Sequence, residues 1–303
     1  MTLSIVVITY NEESNLGRTL ASVQPLVADG QGEIIVVDSG STDRTLEIAK
    51  SHGAKVFVET WKGYAGQKNS AIEKASGEWI LSLDGDEEVE HKLADEIRAV
   101  VRLREVLKPL PPGVEETPTR LREVQEAMEL LKTLYANRLR IPFGSGIGYA
   151  FPVGLQIPRR NHFLGRWIQH GGFWPDPKLR LFRRGAATFE DRLVHEDVRL
   201  EGPTARLSNA LLHHSYPTLA DYLDHMNRYS SLGAEMAVAK GHGSFSVLNI
   251  VVRPLLTFIY NYFFRLGFLD GREGLLLHLY HAVYVSWKYA KAWELARQKA
   301  SAS

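Results

Sequence analysis

Glu33-Ile-Ile-Val-Val-Asp38, followed at once by Ser39-Gly-Ser-Thr-Asp43, is the stretch whose reading decides the fold. An unbroken β-branched run reads as a strand buried on both faces, as in a parallel sheet. The hydroxyl-rich turn behind it is helix-cap chemistry, and Gly53 can end that helix in a left-handed cap. Working outward, Leu3-Ser-Ile-Val-Val-Ile-Thr9 is a second buried strand, with a helix expected through Leu16, Leu20 and Val23. Downstream, Lys55 to Glu59 predicts a third strand and Gln67 to Ala75 a helix closed by Gly77. Trp79-Ile-Leu-Ser-Leu83 predicts a fourth strand. Strands alternating with helices imply βαβ units, hence an α/β fold with a doubly wound, mostly parallel sheet.

Such a sheet receives ligands beyond the carboxyl ends of its strands. The residues there are Tyr10-Asn11-Glu12, Asp38 and Asp84-Gly-Asp-Glu87, so separate strands deliver acids to one rim. Two carboxylates one residue apart on a glycine-loosened turn can approach one hard cation together, leaving room for water and phosphate oxygens. The alternative is that these acids cap a following helix, with Glu87, Glu88 and Glu90 in its first turn. Asp43 suits helix capping, leaving Asp38 free to accept hydrogen bonds from a base or a ribose. A dinucleotide fold would need Gly-x-Gly-x-x-Gly after the first strand. That turn here reads Thr9-Tyr-Asn-Glu-Glu-Ser14 and disfavours a nicotinamide enzyme.

From Glu105 to about Asn137 the character changes. A Pro-rich connector, Lys108 to Pro118, precedes Leu121, Val124, Met128, Leu131 and Leu134 at helical spacing. This predicts a helical insertion at 105–137 packed on the core. The expected division is an α/β domain over 1–215, carrying the rim of acids, and a helical C-terminal region over 216–303. Charge is balanced, 36 basic against 35 acidic side chains, so no global field grips a polyanion and nucleic acid is not an expected partner. The absence of cysteine excludes a disulfide framework, a thiolate zinc site and a cysteine nucleophile. The start lacks the basic-then-apolar layout of a secretory signal, and a cytoplasmic location is expected.

Val7-Ile-Thr-Tyr-Asn-Glu12, Ile35-Val-Val-Asp-Ser-Gly-Ser-Thr-Asp43 and Leu83-Asp-Gly-Asp-Glu87 together resemble family 2 glycosyltransferases of the GT-A fold. Ile157-Pro-Arg-Arg-Asn161, Phe163-Leu-Gly-Arg-Trp167, Gly171-Gly-Phe-Trp-Pro-Asp176, Lys178-Leu-Arg-Leu-Phe-Arg-Arg184, Val194-His-Glu196 and Gly267-Phe-Leu-Asp-Gly271 resemble the bacterial lipopolysaccharide core β-glucosyltransferase subgroup. The insertion is longer than that subgroup's pattern. Processive synthases carry Gln-x-x-Arg-Trp; here Phe163 stands where the Gln would be, which favours non-processive transfer.

The resemblance implies a nucleotide-diphosphate sugar donor, UDP-sugar foremost, and inversion at the anomeric carbon. Tyr10, Glu12 and Asp38 would hold the nucleoside. Asp84 and Asp86 would face the diphosphate, Asp86 as the direct ligand of a divalent cation, Mg2+ or Mn2+. Lys68 either assists or is a solvated helix lysine. Arg180 and Arg183 either contact the donor or are solvent-facing strand positions. Inversion needs a base opposite the leaving group; Glu196 is preferred and Asp197 is the alternative, with His195 beside them. Glu190 and Asp191 read as surface charges. Trp174 is an acceptor platform or a buried structural ring. The acceptor would be a saccharide, lipid-linked in a cell-envelope pathway. Basic and aromatic residues border the apolar stretch Val247–Phe268, which is too interrupted to span a membrane. Peripheral contact with the inner face of the cytoplasmic membrane and burial in a helical subdomain or dimer are both open. Competing readings are a silent nucleotide-sugar-binding protein of this fold and a nucleotidyl transferase using the same paired acids.

Overall fold

The computed structural model describes residues 3–28, 30, 32–107, 117–136, 151–190 and 197–302. The chain divides into two compact units, one of residues 1–159, 177–191 and 197–212, the other of 160–176, 192–196 and 213–303.

In the first unit β1 (Leu3–Thr9), β2 (Gly32–Asp38), β3 (Lys55–Val58) and β4 (Trp79–Asp84) lie parallel in the order β3-β2-β1-β4. Helices α1 (Leu16–Val27), α2 (Thr45–Ser51) and α3 (Gly63–Glu73) make the crossovers. Side-chain alternation splits the core in two. Ile5, Val7, Leu81 and Leu83 pack with Leu16 and Leu20 of α1, whereas Val6, Val37 and Ile80 pack with Ala65 and Ala71 of α3. This is the α/β arrangement that the strand patterns predict.

Helix α3 begins earlier than expected, because Gly63 takes a left-handed φ of 82° and turns the chain directly into it. Glu87–Val89 forms a short strand, β5, and α4 (His91–Val106) starts only after it. The reading of Asp84-Gly-Asp-Glu87 as a helix cap is therefore corrected. In the insertion, α5 (Pro118–Ala136) buries Ala127 and Leu134 while Leu121 and Met128 stay exposed. The buried stripe is rotated from the expected one, since α5 rests on Leu103, Val106 and Leu107 at the end of α4.

The remaining strands are β6 (Gly154–Phe163), β7 (Arg166–Trp167), β8 (Asp176–Arg183), β9 (Ala187–Glu190), β10 (Asp197–Leu200), β11 (Thr204–Arg206) and β12 (Leu211–Tyr216). Antiparallel β8 extends the sheet beyond β4, with Trp79 opposite Arg183 and Leu81 opposite Leu181. Strands β9 and β10 form a separate antiparallel pair, Glu190 opposite Asp197.

The second unit is largely helical. Helix α6 (Leu219–Ala239) opens on a reciprocal cap, Thr218 accepting from the Asp221 amide while the Asp221 carboxylate accepts from the Thr218 amide. It packs with α8 (Gly271–Ala302) through Ala234, Ala237, Tyr289 and Ala292. Helix α7 (Arg253–Ile259) is flanked by wide π-helical turns at Leu248–Val252 and Tyr260–Phe264. Pro254 lacks the amide that would bond Ile250 four residues back, and Ser286 Oγ donates to that carbonyl at 2.8 Å instead. Among the described residues no helix is long and apolar enough to cross a membrane.

Candidate active site at the carboxyl rim of the sheet

Parallel register builds the rim. Strand β1 sets Ile8 opposite Asp84 on one side and Thr9 opposite Asp38 on the other, so both acids end strands at the same edge. Alternation sends them to opposite faces of the sheet: Thr9 Oγ1 donates to Asp38 on the α1 face, and Lys68 of α3 reaches Asp84 on the other.

Asp38 is not the free carboxylate expected. It is fully buried; Oδ1 accepts from the amides of Gly40 at 2.9 Å and Ser41 at 2.7 Å. Its Oδ2 accepts from Thr9 Oγ1 at 2.8 Å and Ser41 Oγ at 2.5 Å. The turn itself consumes its lone pairs, an Asx-type closure favoured by the Ser-Gly-Ser that follows. The same loop is stitched to the end of β1. Asn11, at φ 53°, accepts from the Thr42 amide at 2.9 Å, and the Glu12 amide donates to Thr45 Oγ1 at 2.8 Å. Asp43 bonds Thr45 and the Glu13 amide, consistent with its expected capping role. Tyr10 stands 59% exposed above this floor.

Lys68 is no solvated lysine. Its side chain is 2% exposed and its Nζ lies 2.9 Å from Asp84 Oδ1. Arg180 of β8, also buried, pairs with Asp84 Oδ2 and reaches Glu87 Oε1 at 2.6 Å. Glu87 is wholly buried, accepts from the Asp84 amide at 3.0 Å, and meets Arg159 of β6 at 3.3 Å. Burial opposes ionisation of Asp84, but Arg180 and Lys68 outweigh it and hold the carboxyl well below its ordinary range. The sequence places Glu87 on the rim without a role and gives Arg159 no site role. Their signal was present, an acid directly after Asp-Gly-Asp and a basic pair in a strand pattern, but only pairing across the sheet gives them a partner.

Glu12 tells the opposite story. Burial raises its carboxyl to about 7 despite a bond from Asn15, and the charges of Asp86 and Asp84 add to the rise. Gly85 allows this approach, since a Cβ there would stand 3.0 Å from Glu12 Cγ. Glu12 thus stands beside the acids Asp86 and Asp84, and Asp84 is also paired with Lys68 and Arg180. Among the described residues no set of three or more His, Cys, Asp or Glu side chains is grouped as a metal cage. An all-oxygen donor set of few carboxylates fits a hard cation that draws its other ligands from water and phosphate.

Arg183 is not brought to this rim. It lies opposite Trp79, at the far end of β4 from Asp84, pairing with Glu78 and stacking 4.7 Å over the Trp79 ring. Trp174 belongs to the second unit, half-buried, with the Arg160 guanidinium 5.3 Å from its ring. Glu196, His195 and Asp191 lie outside the described residues, and of Asp197 the backbone alone is described, as the first residue of β10. The β9–β10 pair is anchored near its loop-side end. Asn69 donates to the Phe189 carbonyl at 2.8 Å and accepts from its amide at 2.9 Å. Lys68 Nζ lies 5.3 Å from the Phe189 ring, so one lysine faces both Asp84 and the loop-side end of β9.

Comparison with known proteins places residues 4–146 in a match to the model described as glycosyl transferase family 2. The lipopolysaccharide core biosynthesis glycosyltransferase LpsC of Rhizobium meliloti is 28% identical, over 98% of this chain and 94% of its own. An uncharacterized glycosyltransferase of Rickettsia typhi is 27% identical over 97% of this chain and 87% of its own. The crystal structure of S. aureus TarS 1-349 in complex with UDP is 17% identical, covering 99% of this chain and 92% of that one, with a TM-score of 0.43.

Proposed function

We propose that this glycosyltransferase, whose residues 4–146 match the family 2 model, carries out an inverting, non-processive hexosyl transfer from a nucleotide-diphosphate sugar, UDP-sugar foremost. The observation that carries the reading is the junction of Asp84, Lys68 and Arg180 at the carboxyl rim, with Asp86 and Glu12 beside it. A diphosphate laid over this edge meets buried cations whose charge is held in place by Asp84 and Glu87. Preorganised charge of this kind favours the extra negative charge of the departing nucleotide diphosphate. Asp86, with Glu12 near it, would hold a divalent cation, which when bound neutralises the same leaving group.

Tyr10 and the loop folded around Asp38 would receive the nucleoside; Asp38 acts by shaping that loop, its own carboxylate being spent. Glu196, or Asp197 next to it, would take the proton from the acceptor hydroxyl as the new glycosidic bond forms. The full-length likeness to LpsC supports a cell-envelope saccharide acceptor of the lipopolysaccharide core kind, lipid-linked at the inner face of the cytoplasmic membrane.

The test is a donor screen with Mn2+ or Mg2+, following nucleotide diphosphate release with and without acceptor. Release that depends on metal and disappears in Asp86→Ala supports the reading. Absence of hydrolysis and transfer with every common donor overturns it in favour of a silent binding protein. Release of nucleoside monophosphate instead points to nucleotidyl transfer. Full transfer by Glu196→Gln would move the base to Asp197.

A further inference from the structure

Amphipathic helices normally turn their apolar stripe toward the core. The helical run through Leu248–Val252, α7 and Tyr260–Phe264 does the reverse on one side. Its inner side packs, Ile250 against the α6–α8 core and Tyr262 against Phe258 and His278. Its outer side exposes Leu248, Val251, Leu255, Leu256, Phe263 and Phe264, the last at 75%. These recur at helical spacing along about 25 Å of axis. Phe268 and Leu269 continue the patch. An apolar surface this continuous marks a docking site.

Charge selects the occupant. Between Glu235 and Asp270 the sequence has no acidic residue, whereas it has Lys240, Arg253 and Arg265. Asp270 is buried, accepting from the amides of Gln169 and His170, and so presents no charge outward. Arg265 and Arg272 are exposed beside the apolar stripe, whereas Arg253 turns its guanidinium to Tyr289 of α8. The next acid, Glu273, faces Arg166, so two copies meeting face to face would bring arginine to arginine. A surface of anionic headgroups over acyl chains complements both parts, taking the side chains into the chains and the guanidinium groups at the phosphates. Tyr260, exposed on this side, has the amphipathic ring favoured at that boundary.

The structure assigns this outward face of α7 and its flanking turns as a surface that docks in the plane of an anionic lipid bilayer. The assignment extends the proposed lipid-linked acceptor, because it would bring the enzyme to the surface where such an acceptor resides, but its test does not depend on catalysis.

The full chain is floated with phosphatidylcholine vesicles, with and without phosphatidylglycerol, and sedimented without lipid. Binding to the anionic vesicles more than about tenfold tighter than to the zwitterionic ones is expected. Leu256→Glu combined with Phe264→Glu should abolish it while donor hydrolysis remains. Arg265→Gln with Arg272→Gln should remove the anionic preference, and this pair decides the matter if the glutamate variant does not fold. No binding by the wild type overturns the assignment. So does a lipid-free dimer that the glutamate variant dissociates, since a second copy would then cover the face. Vesicle binding without donor hydrolysis would instead sink the proposed transfer and leave the docking surface standing.

Discussion

Lys68 Nζ and Asp84 Oδ1 meet at 2.9 Å across the α3–β4 interface, and Arg180 closes on the other oxygen of the same carboxylate. One acid therefore organises two cations from different elements. Lys68→Met leaves Arg180 as the cation paired with Asp84 among the described residues. The stability loss should fall below the roughly 3–5 kcal/mol of breaking a fully buried pair, because Asp84 remains 31% exposed. Donor binding should weaken about tenfold or more, read by titration calorimetry with the nucleotide diphosphate beside urea unfolding.

Glu87→Gln and Asp86→Asn should separate structure from chemistry. Glu87 is buried under Arg180 and Arg159, so its neutralisation strands buried charge and lowers the unfolding midpoint as well as activity. Asp86→Asn relieves repulsion on Glu12, so its stability cost should be smaller than that of Glu87→Gln, while turnover falls about a hundredfold or more. Equal stability losses in both variants would contradict the division of labour.

Arg180→Ala and Arg183→Ala, three residues apart on β8, should behave differently. Arg183 pairs with Glu78 and covers Trp79 at the opposite edge, so its loss should cost about 1 kcal/mol of stability and leave kcat/KM intact. Arg180→Ala should lower kcat/KM by about two orders of magnitude. Steady-state kinetics beside thermal melts on both variants makes the comparison.

Acid sensitivity follows from Glu59, which accepts from Lys62 at 2.8 Å, Lys74 at 2.6 Å and Ser70 at 2.6 Å. Its carboxyl is lowered from 4.5 to about 2, the bond from Lys62 leading and Lys74 and Ser70 following. A carboxyl depressed in the folded state stabilises fully above its unfolded value and loses that contribution as pH falls through its folded value. The urea-midpoint gap between wild type and Glu59→Gln should hold at neutral pH, shrink below pH 4.5 and close near pH 2. A gap independent of pH would show that the loss is packing alone.

In the second unit, the His278 ring occupies the space where Gly171 and Gly267 lack a Cβ. Burial lowers its imidazole to about 4, and neither ring nitrogen has a hydrogen-bond partner among the described residues. Gly267→Ala should cost about 1–3 kcal/mol by overpacking, and His278→Ala in the same chain should recover part of it. Additive losses in the double-mutant cycle would show that ring and glycine do not compete for one space.

The sequence by itself determined the α/β alternation, the carboxyl rim and the acids on it. Buried strands need unbroken β-branched runs, and turns between them need Gly, Ser, Thr and Asp, so Ile35–Asp43 and Leu83–Glu87 state their place directly. What each acid does there was decided by tertiary structure. Asp38 and Asp84 look equivalent as strand-end carboxylates, yet one is spent on its own turn and the other on Lys68 and Arg180. Arg180 and Arg183 look equivalent as strand arginines, yet antiparallel pairing with β4 sends them toward opposite edges. The outward apolar face of α7 was likewise ambiguous, since helical periodicity records which residues share a stripe and not whether anything covers it. Pairing partners and burial are properties of residues distant in the chain, and local pattern carries no record of them.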